Sequence, residues 1–220
     1  MEKFFLVTKD KIKIAANIYN VEKPIGWCLF LHMMPSTKES WRDFALELQN
    51  NGYESLAIDL RGHGESDFGQ NGYLDFSDEE HQKSILDLGT AVDYLIKERE
   101  ATPDKIILIG ASIGVNLTLQ YIKEHPEFKT AVLFSPGLDY RGIKTEPLVK
   151  NLKAGHKIFF ISAKDDKRSG GNNAEMSKKL YDLVPEGIKK EIEIYEVGGH
   201  GTDILKFHPE LSELIFEFIK

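Results

Sequence analysis

The chain has 220 residues, enough to bury a substantial core, and its length suits a single domain over residues 1–220. Its formal net charge of −7 excludes the basic surface with which nucleic-acid-binding proteins neutralise phosphates, so we expect no nucleic-acid partner. Hydrophobic residues make up 41% of the chain, but no apolar run reaches the roughly 18 residues of a membrane span, so we expect no stable membrane insertion.

Short apolar segments rich in β-branched and aromatic residues alternate along the chain with longer segments of helical period. This pattern is typical of the α/β class, a mostly parallel sheet with helices on both faces. The first two segments alternate apolar and polar residues around Lys9-Asp10-Lys11, which predicts an antiparallel N-terminal hairpin at the sheet edge. The predicted strands are Phe4–Val7, Ile12–Tyr19, Trp27–His32, Ser55–Asp59, Lys105–Ile109, Ala131–Phe134, Lys157–Ser162 and Glu191–Val197.

Helices are predicted in the gaps between these strands. Ser77 precedes Glu80 by three positions, the spacing of a capping box, and Asn51-Gly52 is a typical helix end. The predicted helices are Trp41–Asn50, Ser77–Glu98, Gly114–Glu124, Asn173–Leu183 and His208–Ile219.

The N-terminal sequence and the cysteine content favour a reducing compartment. Met1-Glu2-Lys3 leads directly into strand-like sequence, without the apolar block and cleavage site of a signal peptide. Cys28 is the only cysteine, so no intramolecular disulfide can form, and its apolar neighbours indicate a buried packing residue rather than a nucleophile. We therefore expect a cytoplasmic location.

The strongest chemical signal is the pattern Gly-x-Ser-x-Gly at Gly110, Ser112 and Gly114. It follows an apolar strand and leads into a predicted helix, and such a sharp turn exposes a serine while the glycines prevent strand and helix from colliding. Taken alone, the pattern fits equally well a tight turn whose serine caps a helix.

A serine nucleophile needs a base within hydrogen-bond reach and an acid that orients that base. His200 lies in a glycine-rich loop after a predicted strand, and Asp166 also follows a strand end. In open α/β sheets functional groups collect at the carboxyl ends of strands, and the chain order Ser, Asp, His suits this fold. Asp165 is the alternative acid, since a shift of one residue in the strand would exchange the two, and both could form an unspecialised polar turn.

An acyl-transfer site also needs two backbone N–H donors for the oxyanion. Ile113, directly after Ser112, offers one, and the loop after the strand that begins at Trp27 offers the other. We favour Met34 over Met33, although both methionine side chains would equally suit core packing.

A second polar, glycine-rich loop runs from Asp59 to Ser66. We predict that Asp59 and Arg61 hold it by a charge-assisted hydrogen bond, while its glycines permit positive φ. His63 has no neighbours at metal-ligand spacing, and His200 is the better placed base. We expect neither a metal nor an organic cofactor.

Three motifs in chain order make the chain similar to the α/β-hydrolase superfamily, over nearly its whole length from the hairpin at Lys11. They are the loop at His32, the Asp-x-x-Gly-His-Gly-x-Ser loop that ends at Ser66, and the turn at Ser112. The resemblance implies Ser112 as nucleophile, His200 as base, Asp166 as acid, and Met34 and Ile113 as oxyanion donors. The chain departs from the usual pattern at Met33 and Ala163, where relatives have glycine, and at Asp10-Lys11, where relatives often have Asp-Gly.

Many members of that superfamily insert a helical lid at the position of Ser135–His156. Here the segment is long enough only for a loop and one short helix, so the lid is minimal or absent and the site is expected to be open. The resemblance implies a carboxylesterase that cleaves small-molecule acyl esters through an acyl-enzyme. The alternatives are thioester or amide hydrolysis, perhydrolysis or acyl transfer on the same triad, or a ligand-binding member without activity.

Overall fold

The computed structural model describes residues 1–168 and 170–220, and its centre is an eight-stranded sheet with helices on both faces. The strands are β1 (Glu2–Val7), β2 (Lys13–Tyr19), β3 (Gly26–Leu31), β4 (Tyr53–Ile58), β5 (Ile106–Ala111), β6 (Thr130–Phe134), β7 (Asp139–Tyr140), β8 (Ile143–Lys144), β9 (Lys157–Ala163), β10 (Lys167–Arg168), β11 (Gly171–Asn172) and β12 (Lys189–Tyr195). The helices are α1 (Arg42–Asn50), α2 (Asp78–Gln82), α3 (Ile85–Glu98), α4 (Ile113–Glu124), α5 (Thr145–Lys150), α6 (Asn173–Leu183), α7 (Asp203–Phe207) and α8 (Leu211–Ile219).

The strand order of the large sheet is β1-β2-β4-β3-β5-β6-β9-β12. β1 pairs with β2 in antiparallel fashion at one edge, β2 also runs antiparallel to β4, and the remaining pairs are parallel. The predicted α/β class, the mostly parallel sheet and the antiparallel hairpin at its edge are therefore confirmed. Two further two-stranded sheets, β7-β8 and β10-β11, lie outside the large sheet.

Alternate residues of the parallel strands face two separate apolar cores, one on each side of the sheet. In β3, Leu29 and Leu31 join the core formed with α3, α4 and α6, whereas Cys28 and Phe30 join the core formed with α1 and α8. Strands covered on both faces are apolar at nearly every position, which is why the sequences of β3 and β5 read as continuous hydrophobic runs. The prediction that Cys28 is buried is confirmed.

The predicted helix Ser77–Glu98 is divided into α2 and α3. Its start is as predicted, because Ser77 and Glu80 form a capping box. The break lies at Lys83 and Ser84. In the first turn of α3 the buried carboxylate of Asp87 accepts hydrogen bonds from Arg61, and polar contacts of this kind leave no trace in apolar periodicity. The C-terminal helix is likewise shorter than predicted, since α8 begins after Pro209 and a separate helix, α7, precedes it.

The segment Ser135–His156 contains the predicted short helix, α5, together with the β7-β8 hairpin, which the sequence did not indicate. The hairpin turns at Arg141 and Gly142, which have φ values of 53° and 77°. Two positive φ angles at the turn match the twist of a tight hairpin. Strands of two residues are too short to show an alternating pattern, which explains why they were missed.

Asp59 and Arg61 do hold their loop, but the prediction that they bond each other is wrong. Asp59 accepts hydrogen bonds from the buried Lys38 ammonium at 2.7 Å and from the backbone N–H of Glu65 at 2.9 Å. Arg61 instead binds Asp87 and Asp10. The cations and anions thus pair across different elements, which sequence spacing could not reveal.

In the part of the chain that the structure describes, none of the helices combines the length and apolarity that a membrane crossing requires.

Candidate active site

Ser112 occupies the turn between β5 and α4, with φ 53° and ψ −117°. A left-handed φ is strained for a serine, and the two flanking glycines explain how the turn fits. A Cβ on Gly114 would lie 2.5 Å from the carbonyl oxygen of Leu31, and a Cβ on Gly110 would lie 2.5 Å from the backbone of Gly114. The two glycines therefore let β5 and α4 approach closely, and the turn between them places Ser112 at the carboxyl end of β5.

His200 and Asp166 form the main side-chain pair of the site. Nδ1 of His200 lies 2.7 Å from Oδ2 of Asp166, and both residues are at least 95% buried. Nε of Arg168 also lies 3.3 Å from Oδ1 of Asp166. Because an ionised carboxylate only accepts, Nδ1 carries the proton of this pair and Nε2 of His200 is left as the acceptor.

Asp165 contacts the backbone of the histidine loop rather than the imidazole. Its Oδ1 accepts hydrogen bonds from the N–H groups of Gly198 and Gly199, at 3.0 and 3.1 Å. On the other side of His200, the N–H of Gly201 donates to Oγ of Ser135 at 2.9 Å. The loop is thus fastened on both sides of the imidazole, which limits where the ring can lie.

The two methionines after β3 pack on opposite sides of the sheet. Met34 contacts the core of α3, α4 and α6, and Met33 contacts the core of α1 and α8. A Cβ on Gly201 would collide with the sulfur of Met33. The glycine after His200 therefore leaves space for the Met33 side chain, at a position where glycine is usual in the superfamily. The departure at Met33 is therefore accommodated within the site.

Two backbone N–H groups remain available near Ser112. Within the described residues, neither Met34 nor Ile113 donates its N–H to a backbone carbonyl. Ile113 is the first residue of α4, where N–H groups have no partner inside the helix.

Tyr140 is a neighbour of the site that was not predicted from the sequence, and its hydroxyl accepts a hydrogen bond of 2.8 Å from Nδ2 of Asn173. The contacts among the described residues include no hydrogen bond between Ser112 and His200. Tyr140, Ser135 and Asn173 belong to no recognisable motif, since only the folded chain brings Ser135 to the His200 loop and Tyr140 to Asn173.

Two other candidate residues have packing roles. His63 is buried against Tyr73, with the ring centroids 4.2 Å apart, and burial lowers the pKa of its imidazole. Burial raises the pKa of the Cys28 thiol, so this sulfur stays protonated and unreactive.

Comparison with known families and structures agrees with this architecture. A family model described as "Serine aminopeptidase, S33" matches residues 22–159, more than half of the chain. Curated proteins give no match. Solved structures give many matches, all of those cited here at low identity, so they show a likeness of fold.

Three of these structures illustrate the likeness. A structure of DcsB in complex with its substrate analogue shares 15% identity over 99% of this chain and 97% of that one, with a TM-score of 0.81. An esterase from Pyrococcus furiosus shares 21% identity over 99% and 91% of the two chains, with a TM-score of 0.77. An esterase from Exiguobacterium antarcticum shares 14% identity over 99% of both chains, with a TM-score of 0.76.

Proposed function

Since the chain belongs to the serine aminopeptidase S33 family of α/β-hydrolases, we propose that it hydrolyses carboxylic esters through an acyl-enzyme formed on Ser112. The observation that carries this proposal is the 2.7 Å contact between His200 and Asp166, at the sheet edge where the strained turn presents Ser112. A histidine whose Nδ1 is held by a buried carboxylate has its Nε2 free to accept a proton.

In the proposed first half-reaction, Oγ of Ser112 attacks the ester carbonyl carbon while its proton passes to Nε2 of His200. Asp166 holds the imidazole in the required tautomer and stabilises the imidazolium that forms. The tetrahedral intermediate then collapses, the bond to the alcohol oxygen breaks, and His200 returns the proton to the departing alcohol. Ser112 is left as an acyl ester.

In the second half-reaction, water attacks the acyl carbonyl carbon and gives a proton to His200. The bond to Oγ breaks, the carboxylic acid leaves, and the proton returns to Ser112, so the enzyme is regenerated. During both steps the carbonyl oxygen carries negative charge. We assign its stabilisation to the N–H groups of Met34 and Ile113, since fixed donors aimed at a developing oxyanion lower the barrier.

Esters are the preferred substrate class for two reasons. Esterases from two organisms share this fold along nearly their entire length, which supports ester chemistry in this scaffold. The segment above the site is small, a hairpin of two-residue strands followed by a six-residue helix, so there is little chain to enclose a large substrate. We therefore propose short acyl chains as the substrates.

Peptide amide hydrolysis is the second candidate, because the matching family model is described as a serine aminopeptidase. The test is a panel of p-nitrophenyl esters from acetate to octanoate, set beside amino-acid p-nitroanilides, with Ser112→Ala as the control. We expect turnover of the short esters, weaker turnover of the long esters and anilides, and none in the variant. Faster turnover of the anilides would favour the peptidase, and a folded protein inactive on every substrate would contradict the ester proposal.

A further inference from the structure

The carboxyl end of β6 contacts both the turn that carries Ser112 and the loop that carries His200. The N–H of Ser112 donates to the carbonyl oxygen of Phe134, the last residue of β6, at 2.9 Å. The next residue, Ser135, accepts the N–H of Gly201 on its Oγ, also at 2.9 Å. Two consecutive residues therefore hold the proposed nucleophile and the residue that follows the proposed base.

The backbone of Ser135 is bonded to two neighbouring elements. Its N–H donates to the carbonyl oxygen of Ile161 in β9 at 2.8 Å, and its carbonyl oxygen accepts from Nδ2 of Asn173, at the start of α6, at 3.1 Å. The residue is fully buried. The Oγ that accepts from Gly201 is therefore carried on a fixed backbone.

Ser135 also has a strained backbone conformation, with φ 51°. Among the residues that the structure describes, Ser112 and Ser135 are the two buried non-glycine residues with a positive φ. Such strain persists only where the surrounding structure enforces it, and it is common at functional sites. Glycine would adopt the backbone of Ser135 without strain, but it has no hydroxyl to accept from the loop.

Asn173 connects the proposed acid to the same serine. Its backbone N–H donates to the carbonyl oxygen of Asp166 at 3.0 Å, while its Nδ2 donates to the carbonyl oxygen of Ser135. Hydrogen bonds thus link the end of β6 to the turn of the nucleophile, to the loop of the base and to the backbone of the acid.

The loop of the base lies directly against the turn of the nucleophile. A Cβ on Gly201 would lie 3.3 Å from that of Ala111, the residue before Ser112. Because the two segments are already in contact, a shift of Gly201 changes the distance between the neighbouring His200 and Ser112.

We propose that Ser135 is a positioning residue, which holds the His200 loop at the distance from Ser112 that proton transfer requires. This inference rests on the proposed function, in which His200 takes the proton of Ser112. Without Oγ of Ser135, the buried N–H of Gly201 loses its acceptor, and because an unpaired buried donor is costly, the loop shifts toward another partner. Misplacing reacting groups by about 1 Å can lower a rate by about 100-fold.

The test compares Ser135→Ala and Ser135→Gly with the control Ser66→Ala. Oγ of Ser66 also accepts a backbone N–H at 2.9 Å, that of Ala15 in β2, so the control loses the same kind of buried hydrogen bond away from the triad. The measurements are kcat and KM for p-nitrophenyl butyrate and the second-order rate of Ser112 labelling by a fluorophosphonate.

We expect both Ser135 variants to lower kcat and the labelling rate by about 10- to 100-fold, with KM nearly unchanged, because a fully buried residue does not touch substrate. Ser66→Ala should match the wild type in all three values.

Urea unfolding separates positioning from folding. Ser135→Gly removes the backbone strain together with the hydroxyl, so it should unfold at a higher urea concentration than Ser135→Ala, which keeps the strain. The two variants should nevertheless lose activity alike. Recovery of activity in the more stable Ser135→Gly would show that Ser135 serves only the fold, and would overturn the inference.

Wild-type labelling and kcat in both Ser135 variants would also overturn the role of Ser135, while leaving the esterase proposal intact. So would a raised KM with unchanged kcat, since it would indicate a role in binding substrate. Failure of the wild type itself to be labelled would instead refute the proposed function.

Discussion

Asp165 and Asp166 are adjacent in the candidate site but have different hydrogen-bond partners, so we expect their substitutions to have different effects on activity. The carboxylate of Asp166 meets the imidazole of His200, whereas that of Asp165 binds two backbone amides of the loop that carries it. One residue touches the proposed base directly, and the other acts on its position. The two substitutions should therefore lower kcat by different factors, although both residues are aspartates.

Replacing Asp166 by Asn should lower kcat by about 10³- to 10⁴-fold, because an amide no longer stabilises the imidazolium and favours the wrong tautomer. Replacing Asp165 by Asn should cost only about 10-fold, since the amide oxygen can still accept from Gly198 and Gly199. Steady-state hydrolysis of p-nitrophenyl butyrate measures both. A larger loss in Asp165→Asn than in Asp166→Asn would contradict the assignment.

The residues of the candidate site that belong to motifs could be predicted from the sequence, whereas those that only tertiary structure brings together could not. Ser112 lies between spaced glycines and His200 in a glycine-rich loop, and both signals are local. Ser135 and Tyr140 lie in a connecting segment without periodicity. Their contacts, with Gly201 and Asn173, join parts of the chain far apart in sequence, so no spacing rule identifies them.

Among the elements, the turn from β5 into α4 has little tolerance for change. α4 approaches β3 so closely at Gly114 that even a methyl group would meet the carbonyl oxygen of Leu31. Gly89, inside α3, has more room, because its added Cβ would meet only Tyr121, at 3.8 Å. Replacement by alanine should therefore have opposite effects on stability at the two glycines.

Gly114→Ala should destabilise the protein by about 1–3 kcal/mol, through overpacking of backbone against backbone, and should reduce labelling of Ser112. Gly89→Ala should raise the free energy of unfolding by about 0.5–1 kcal/mol, since alanine loses less conformational freedom than glycine when a helix forms. Urea unfolding measures both values. A neutral Gly114→Ala variant would show that the strand-to-helix packing is looser than described.

The strands were easier to predict from the sequence than the helices. Strands buried on both faces, such as β3 and β5, stand out as apolar runs, and all eight strands of the large sheet were anticipated. The break between α2 and α3 and the start of α8 were not. The first lies beside the buried pair of Arg61 and Asp87, and pairing between side chains far apart in sequence leaves no periodic signal.

For the molecule as a whole, buried titratable groups make stability depend on pH. Burial lowers the pKa of His32 to about 3 and that of His81 to about 4, so the unfolded chain takes up these protons first as the pH falls below 6.5. These two histidines therefore destabilise the fold on acidification. Asp87 has the opposite sign, because burial raises its pKa to about 6 and the folded chain binds the extra proton between pH 6 and 3.8.

Replacing His81 by Phe isolates one of these contributions, because the effects of His32 and Asp87 are common to both proteins. The ring of His81 is buried near Phe76, and within the described residues its Nε2 has no hydrogen-bond partner. Between pH 7 and pH 5 the stability of His81→Phe relative to the wild type should increase by about 2 kcal/mol.

Urea unfolding at the two pH values measures this change, with His125→Phe, at a histidine whose side chain is 42% exposed, as the control. A constant difference between His81→Phe and the wild type would show that His81 titrates alike in the folded and unfolded chains.

The proposed function requires that Ser112 is the nucleophile and that His200 activates it. The most direct measurement is reaction with a fluorophosphonate followed by peptide mapping by mass spectrometry, on the wild type, Ser112→Ala and His200→Ala. We expect one adduct, on Ser112, in the wild type, none in Ser112→Ala, and labelling slowed by at least about 10³-fold in His200→Ala. An adduct on another residue, or a folded wild-type protein that takes up no label, would contradict it.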